Sequence, residues 1–297
     1  MKQASTEAYA KINLTLDVTG KRPNGYHDVC MVMQSIGIHD IVTVQTETGA
    51  DDIELTISHC DLPTDSSNLA YRAAQLFLQR TNKQSNGICI HIEKHNPIAA
   101  GLAGGSTDAA AVLVLLNDLY QTRLTQEQLM EMGLALGADV PFCIAGGTML
   151  AEGIGEVLTP LPHAPQAFVV LCKPPVAVST PAIYRAIDSV DIARRPDTQA
   201  MLRALKDGDL QAVSALLYNV MQPVTANMHP EIDDICRIMR EHGAMNAIMS
   251  GSGPTVFGLF DDREKAEAAY RRMCENGAGR DVFLTEFFQP DGREQDR

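Results

Sequence analysis

Pro97-Ile98-Ala99-Ala100-Gly101-Leu102-Ala103-Gly104-Gly105-Ser106-Thr107-Asp108 separates a stretch that reads as a strand, Gly87–Glu93, from one that reads as a helix, opening at Ser106 and carrying Ala109–Leu119. Small side chains in such a loop let the backbone come close to a ligand. The helix that follows offers N–H groups without intrahelical acceptors, and the positive end of its dipole, to whatever lies in the loop. A di- or triphosphate fits that chemistry; the competing reading is a helix that needs small residues only to pack tightly. Neither the G-x-x-x-x-G-K-[ST] pattern nor G-x-G-x-x-G is present, so the sequence supports neither a P-loop nor a Rossmann fingerprint.

Working outward, Ile12-Asn13-Leu14-Thr15-Leu16-Asp17-Val18 alternates strictly and reads as a half-buried strand. Its apolar face is Ile12, Leu14, Leu16 and Val18, and Lys11, Asn13 and Thr15 share the polar face. By itself Lys11 is a solvated strand lysine. Arg22-Pro23-Asn24-Gly25 is a turn whose Asn-Gly pair tolerates positive φ, and Tyr26-His27 beyond it is either a binding pair or an ordinary loop aromatic with a surface histidine. Strands are expected at Val29–Ile36, Ile41–Thr46 and Ile53–Ile57, and a helix over Asn68–Thr81. Thr125 and Gln128 form a capping box, with Leu124 and Leu129 as its staple and Gly137 as the stop. Asp139-Val140-Pro141-Phe142 opens a further helix, so Asp139 reads as an N-cap, a position compatible with catalysis.

Three prolines within Pro160–Pro165 mark an expected division into domains 1–160 and 161–297. Beyond them come a strand at Phe168–Cys172 and a helix capped by Thr180-Pro181 through Ile187. Helices at Asp209–Asn219 and Glu231–Glu241 follow, then two strands flanking Ser250–Gly253, a helix over Arg263–Asn276, a strand at Val282–Phe287 and a frayed tail from Gln289. The glycine run Ser250-Gly251-Ser252-Gly253-Pro254-Thr255 reads, alone, as a hairpin turn. Strands joined by hairpins as well as helices indicate an α+β fold.

Over the whole chain of 297 residues, 24 Lys+Arg stand against 37 Asp+Glu, a net charge of −13 that disfavours a nucleic-acid partner. No apolar run approaches the roughly 18 residues of a membrane span, and Met1–Glu7 lacks the apolar core of a secretion signal, so a cytoplasmic protein without a membrane partner is expected. Seven scattered cysteines with no C-x-x-C pair suggest neither a disulfide framework nor a zinc site. His91, His95 and His242 lack ligand spacing and read as surface residues.

Ala8-Tyr9-Ala10-Lys11-Ile12-Asn13-Leu14, Pro97–Asp108 and Ser250–Thr255 together resemble, in order and separation, the three motifs of the galactokinase, homoserine kinase, mevalonate kinase and phosphomevalonate kinase (GHMP) superfamily. The likeness runs from about residue 8 to residue 260. It implies a two-domain α+β fold, with an N-terminal ribosomal-S5-like domain and a C-terminal ferredoxin-like domain. Arg22–His27 and Gly137–Phe142 narrow the resemblance to members acting on a cytidine-diphosphate-linked polyol. The activity implied is transfer of the ATP γ-phosphoryl to the polyol 2-hydroxyl, with Mg2+. On that resemblance Pro97, Ile98, Ala99, Ala100, Gly101, Leu102, Ala103, Gly104, Gly105, Ser106 and Thr107 hold the ATP phosphates, and Lys94 and Asn68 lie near adenine. Asp139 is the base and Lys11 its partner. Asn13, Tyr26, His27 and Tyr184 bind the substrate, and Ser106 or Thr107 is the candidate metal ligand. A monomer or weak homodimer is expected. Ala99, Ala100 and Ala103 stand where relatives often carry glycine. The rivals are a family kinase for homoserine or mevalonate, disfavoured by the Tyr26-His27 pair with Tyr184, and a silent nucleotide-binding protein on the same scaffold, disfavoured by Lys11 with Asp139.

Overall fold

A computed structural model describes residues 1–47, 49, 52–58, 60–275, 277, 279 and 281–290. It divides into two compact units that interleave along the chain. The first is Met1–Ala10, Ile38–Asn96 and Ala103–Ala145; the second is Lys11–Gly37, Pro97–Leu102 and the chain from Gly146 onward. Two long strands, β1 (Lys2–Lys21) and β2 (His27–Thr46), contribute to both.

In the first unit the strand order is β3 (Ile53–Ser58), β4 (Ile88–Glu93), β2, β1, with β4 antiparallel to β2 and parallel to β3. Val42, Val44, Ile88, Ile90 and Ile92 point to one face and are buried; Thr43, Gln45 and His91 alternate with them on the other. Helices α1 (Leu69–Thr81) and α2 (Gly104–Leu119) supply Phe77, Val112, Leu113 and Leu116 to the same core. Nearly every residue of α2 from Thr107 to Leu116 is buried, so its run of Ala, Val and Leu reflects a helix wrapped by core rather than an amphipathic surface helix. Two short helices follow, α3 (Gln126–Leu134) and α4 (Val140–Ala145).

In the second unit β5 (Thr148–Glu152) lies antiparallel to β2 through Met31↔Ala151, with β6 (Val157–Pro160) on its far side. A four-stranded sheet is built from β7 (Phe168–Lys173), β9 (Asn246–Met249), β10 (Val256–Phe260) and β11 (Asp281–Glu286) in the order β11-β7-β10-β9, every pair antiparallel. Taken in chain order, the first of these strands lies between the fourth and the third, the ferredoxin-like arrangement. Between β7 and β9 run α5 (Thr180–Ile187), α6 (Thr198–Asp207), α7 (Leu210–Ala215), the short β8 (Tyr218–Asn219), α8 (Gln222–Met228) and α9 (Glu231–Glu241). Helix α10 (Arg263–Glu275) leads to β11.

Several expectations need correction. β1 is buried on both faces over residues 10–18, because Asn13, Thr15 and Asp17 find partners where water was expected: the Thr15 hydroxyl accepts from the Val32 amide at 3.1 Å and Asp17 accepts from Arg195 at 2.5 Å. Val29–Ile36 and Ile41–Thr46 are one strand, since Gly37–Asp40 carry no turn and Asp40 is itself held by the end of β4. α2 opens at Gly104, two residues early, because Ala103 adopts a left-handed conformation (φ 61°) and its carbonyl accepts from both Ser106 and Thr107. α3 ends at Leu134 rather than at Gly137. Ser179 rather than Thr180 stands at the cap position of α5, and the Thr180 hydroxyl bonds that of Ser252 instead. Asp209–Asn219 divides into α7 and β8, because Tyr218 and Asn219 pair with Thr15 and Leu16 of β1. β5, β6, α6 and α8 had no sequence signal strong enough to announce them. His242 is half-buried, its Nδ1 2.9 Å from the Ile238 carbonyl. Asn276 and residues 291–297 of the tail lie outside the described residues.

Candidate active site

The glycine loop and the second glycine run meet inside the second unit. A Cβ on Gly101, which has φ +75°, would stand 2.5 Å from the Ser250 carbonyl and 3.1 Å from that of Gly253. One on Gly251 would stand 3.1 Å from the Gly101 carbonyl and 3.7 Å from Asn13 Oδ1. The Ser250 hydroxyl donates to the Gly101 carbonyl at 3.2 Å, and the Lys11 amide donates to the Leu102 carbonyl at 3.2 Å. Ser250–Gly253 is therefore more than a turn between β9 and β10: it clamps the loop backbone to backbone, and only glycine permits that approach.

Lys11 is buried, 4% exposed, and Asn13 is fully so. The Lys11 ammonium donates to Asn13 Oδ1 at 2.9 Å, and Asn13 Nδ2 is 3.1 Å from Met31 Sδ. The solvated-lysine reading fails. The side-chain partner of this buried ammonium is a neutral amide, and burial of a cation without a counter-charge is costly.

In the first unit, Lys94 Nζ bridges Asp40 Oδ2 and Asp108 Oδ2, each at 2.6 Å, with side chains 6%, 0% and 7% exposed. Asp40 also accepts from the His95 and Asn96 amides at 2.6 and 2.7 Å and from Asn96 Nδ2 at 2.7 Å. Burial works against ionisation of both acids. At Asp40 it is outweighed by Lys94 and the two amides, which hold the carboxyl below its ordinary range. At Asp108 desolvation dominates and the neighbouring Asp40 adds to it, raising the carboxyl to about 7. Lys94 is pushed up by the two carboxylates against the effect of burial. Asp40 and Asp108 lie far from each other in sequence, and no spacing rule could have joined them.

His27 stacks on Tyr184 in the second unit, with ring centroids 4.8 Å apart and planes 24° from parallel. Its Nε2 lies 2.6 Å from Asp188 Oδ1, and Lys21 Nζ lies 2.5 Å from Asp188 Oδ2. Those two partners draw the Asp188 carboxyl below its ordinary range. Sequence reasoning found His27 and Tyr184 but missed Asp188, the residue that orients the imidazole. Tyr26 is 59% exposed, its ring presented to solvent.

The sequence profile of the GHMP kinases N terminal domain matches residues 68–147, and that of the GHMP kinases C terminal matches 201–279. A curated relative from Lachnoclostridium phytofermentans, 4-diphosphocytidyl-2-C-methyl-D-erythritol kinase, is 49% identical over 285 residues, covering 96% of this chain and 97% of its own. The chain belongs to the GHMP kinases. A crystal structure of 4-(cytidine 5'-diphospho)-2C-methyl-D-erythritol kinase superposes with a TM-score of 0.80 at 32% identity, covering 96% of this chain and 100% of that one. Homoserine kinase from Cytophaga hutchinsonii shares the fold alone, with a TM-score of 0.73 at 18% identity, covering 96% of this chain and 94% of its own.

In this kinase Asp139 belongs to the first unit and is half-buried; it immediately precedes α4, and its carbonyl accepts from the Cys143 amide at 3.1 Å. Lys11 belongs to the second unit. Asn68 is the N-cap of α1, its Oδ1 accepting from the Ala70 amide at 2.9 Å and its Nδ2 donating to the Pro63 carbonyl at 2.8 Å. Two of the three donors of the Lys94 ammonium are taken by its acids. The Thr107 hydroxyl donates to the Gly104 carbonyl at 2.7 Å and is buried, whereas Ser106 is half-exposed. Among the described residues no group of three or more His, Cys, Asp or Glu side chains is arranged to hold a metal, and no helix is long and apolar enough to cross a membrane.

Proposed function

We propose that this small-molecule kinase transfers the γ-phosphoryl of ATP to the 2-hydroxyl of 4-diphosphocytidyl-2-C-methyl-D-erythritol, in the non-mevalonate route to isoprenoid precursors. The observation that carries this reading is the 49% identity, over 96% of the chain, to a curated relative of that name. We propose also that the family's two halves divide near residue 160, between the matched stretches 68–147 and 201–279.

Phosphoryl transfer rewards positioning and neutralisation of charge more than covalent assistance. Pro97–Thr107 cradle the ATP phosphates, and the reading is supported by the close backbone packing at Gly101 and by the opening of α2 at Gly104. Asp139 accepts the proton of the attacking hydroxyl, late, since an alcohol is hardly ionised at neutral pH. Lys11 offsets the charge on the moving phosphoryl group. Its burial beside Asn13 supports the role, for the ammonium is already desolvated and fixed. Asn13 contacts the substrate diphosphate or polyol. Tyr26 stacks on cytosine, while His27, oriented by Asp188 and backed by Tyr184, hydrogen-bonds it. Lys94 and Asn68 stand at the adenine end.

Mg2+ takes few protein ligands, keeping waters and binding substrate phosphates, so the lack of an acidic cage is compatible with it. The Ser106 or the Thr107 hydroxyl would be its protein ligand. When bound the ion neutralises phosphate charge. Cytoplasmic location suits an enzyme of soluble phosphorylated metabolites.

The test is ADP release by the purified protein with the cytidylyl polyol, homoserine and mevalonate as alternative acceptors. Turnover with the first alone is expected; turnover with homoserine or mevalonate instead overturns the substrate assignment.

A further inference from the structure

Of the ionic cluster beneath the phosphate loop, Lys94 alone has a role above; Asp40 and Asp108 have none. We propose that Asp108 is a positioning residue for that loop: through Lys94 it ties the opening turn of α2 to the end of β4 and to Asp40 within β2, and so fixes where the Gly104 and Gly105 amides point. The inference rests on the reading of that loop as the ATP-phosphate cradle.

Four observations carry it. Asp40 is saturated by Lys94, by two backbone amides and by Asn96 Nδ2, so the strand side of the cluster is rigid. The Asp108 carboxylate is the arm by which α2 reaches the Lys94 ammonium, at 2.6 Å. The first turn rests on the cluster: a Cβ on Gly104 would lie 3.4 Å from Lys94 Nζ and 3.3 Å from Asn96 Cβ. Asp108 stands four residues after Gly104, on the same helix face, so a shift of its carboxylate moves that turn.

The cluster is poorly designed for stability alone. Two acids and one ammonium are removed from water, and Asp108 Oδ1 and Asn96 Oδ1 are buried with no partner among the described residues. Apolar residues of similar volume commonly serve stability as well or better. What ions provide, and Leu or Met does not, is directional bonds of defined length between three elements that converge on the loop.

The experiment compares Asp108→Ala with Asp108→Asn, which keeps an acceptor for Lys94 at the same reach. In Asp108→Ala the KM for ATP is expected to rise about tenfold, the size of one lost charge-assisted hydrogen bond, with kcat and the KM for the acceptor changed by less than about threefold. Asp108→Asn restores the KM for ATP to within about threefold of the native value. Hydrogen exchange of the Gly104–Thr107 amides without nucleotide should quicken in Asp108→Ala and not in Asp108→Asn, and this readout does not depend on the kinase assignment. Should Asp108→Ala fail to fold, Asp108→Glu, which lengthens the arm by one methylene, is expected to show the same KM and exchange effects. A native KM for ATP with native exchange, or an equal rise in both KM values, overturns the proposal. A wild-type protein that consumes no ATP overturns the kinase reading instead.

Discussion

Gly101→Ala tests the clamp between the two glycine runs. The added methyl carbon would lie 2.5 Å from the Ser250 carbonyl oxygen, and the two must separate by about 0.9 Å to reach ordinary contact near 3.4 Å. Neither partner can swing aside as a side chain would, since both are backbone. Alanine at φ +75° adds roughly 1–2 kcal/mol of conformational strain. If the loop amides bind phosphate as proposed, a displacement close to 1 Å misplaces them, a shift that typically costs about 10²-fold in catalysis. The predicted outcome is a fall of that order in kcat/KM for ATP, with thermal unfolding lowered by a few degrees. Gly208→Ala is the control: Gly208 has φ +66° but nothing within 4 Å of its Cβ position, so it carries the strain without the clash. Steady-state kinetics at varied ATP and fixed acceptor separate the two. Equal kcat/KM for ATP in both variants would refute the clamp.

Asp139→Asn is expected to lower kcat by roughly 10²–10⁴ with little change in the KM for ATP, measured by ADP release; near-native turnover removes the carboxylate from the mechanism. Tyr26→Ala should raise the KM for the cytidylyl substrate by about the 1–3 kcal/mol of a stacked base, and an unchanged KM assigns the ring to another role. Asn68→Ala should cost about 0.5–2 kcal/mol in denaturant unfolding through the lost cap of α1, and a rise in the KM for ATP beyond that marks an adenine contact as well. The Asp108 carboxyl, about 7 when folded against an ordinary 3.8, holds a proton in that interval that the unfolded chain releases. Stability therefore declines as pH rises through that window. Asp108→Asn should gain stability relative to the native protein above neutrality and gain none below about pH 4, by thermal unfolding. The same gain at both pH values would exclude a titrating Asp108. Asp40, held below its ordinary range, acts with the opposite sign and at more acid pH.

What the sequence disclosed, it disclosed through local rules. The capping box of Thr125 and Gln128 is present with both its bonds, at 3.3 and 2.9 Å. Helix α9 occupies Glu231–Glu241 as expected, and β9 and β10 flank the glycine run. The break between β4 and α2 was legible because Pro97 and the glycines interrupt both the strand and the helix pattern. Burial of the polar face of β1 was not legible: alternation states which residues share a face, not whether that face meets water. The Asp40–Lys94–Asp108 cluster was hidden for a related reason, since ion pairs across elements obey no spacing in the chain. Asp188 escaped because an acid just after a short helix looks like any solvated residue until His27 and Lys21 are brought to it.

The reaction itself can be watched by phosphorus NMR of the purified protein with ATP, Mg2+ and 4-diphosphocytidyl-2-C-methyl-D-erythritol. The account predicts a new phosphomonoester resonance that grows in step with ADP while the diphosphate signals of the acceptor persist. Inorganic phosphate in place of the monoester, or cleavage of the acceptor's diphosphate, would contradict it.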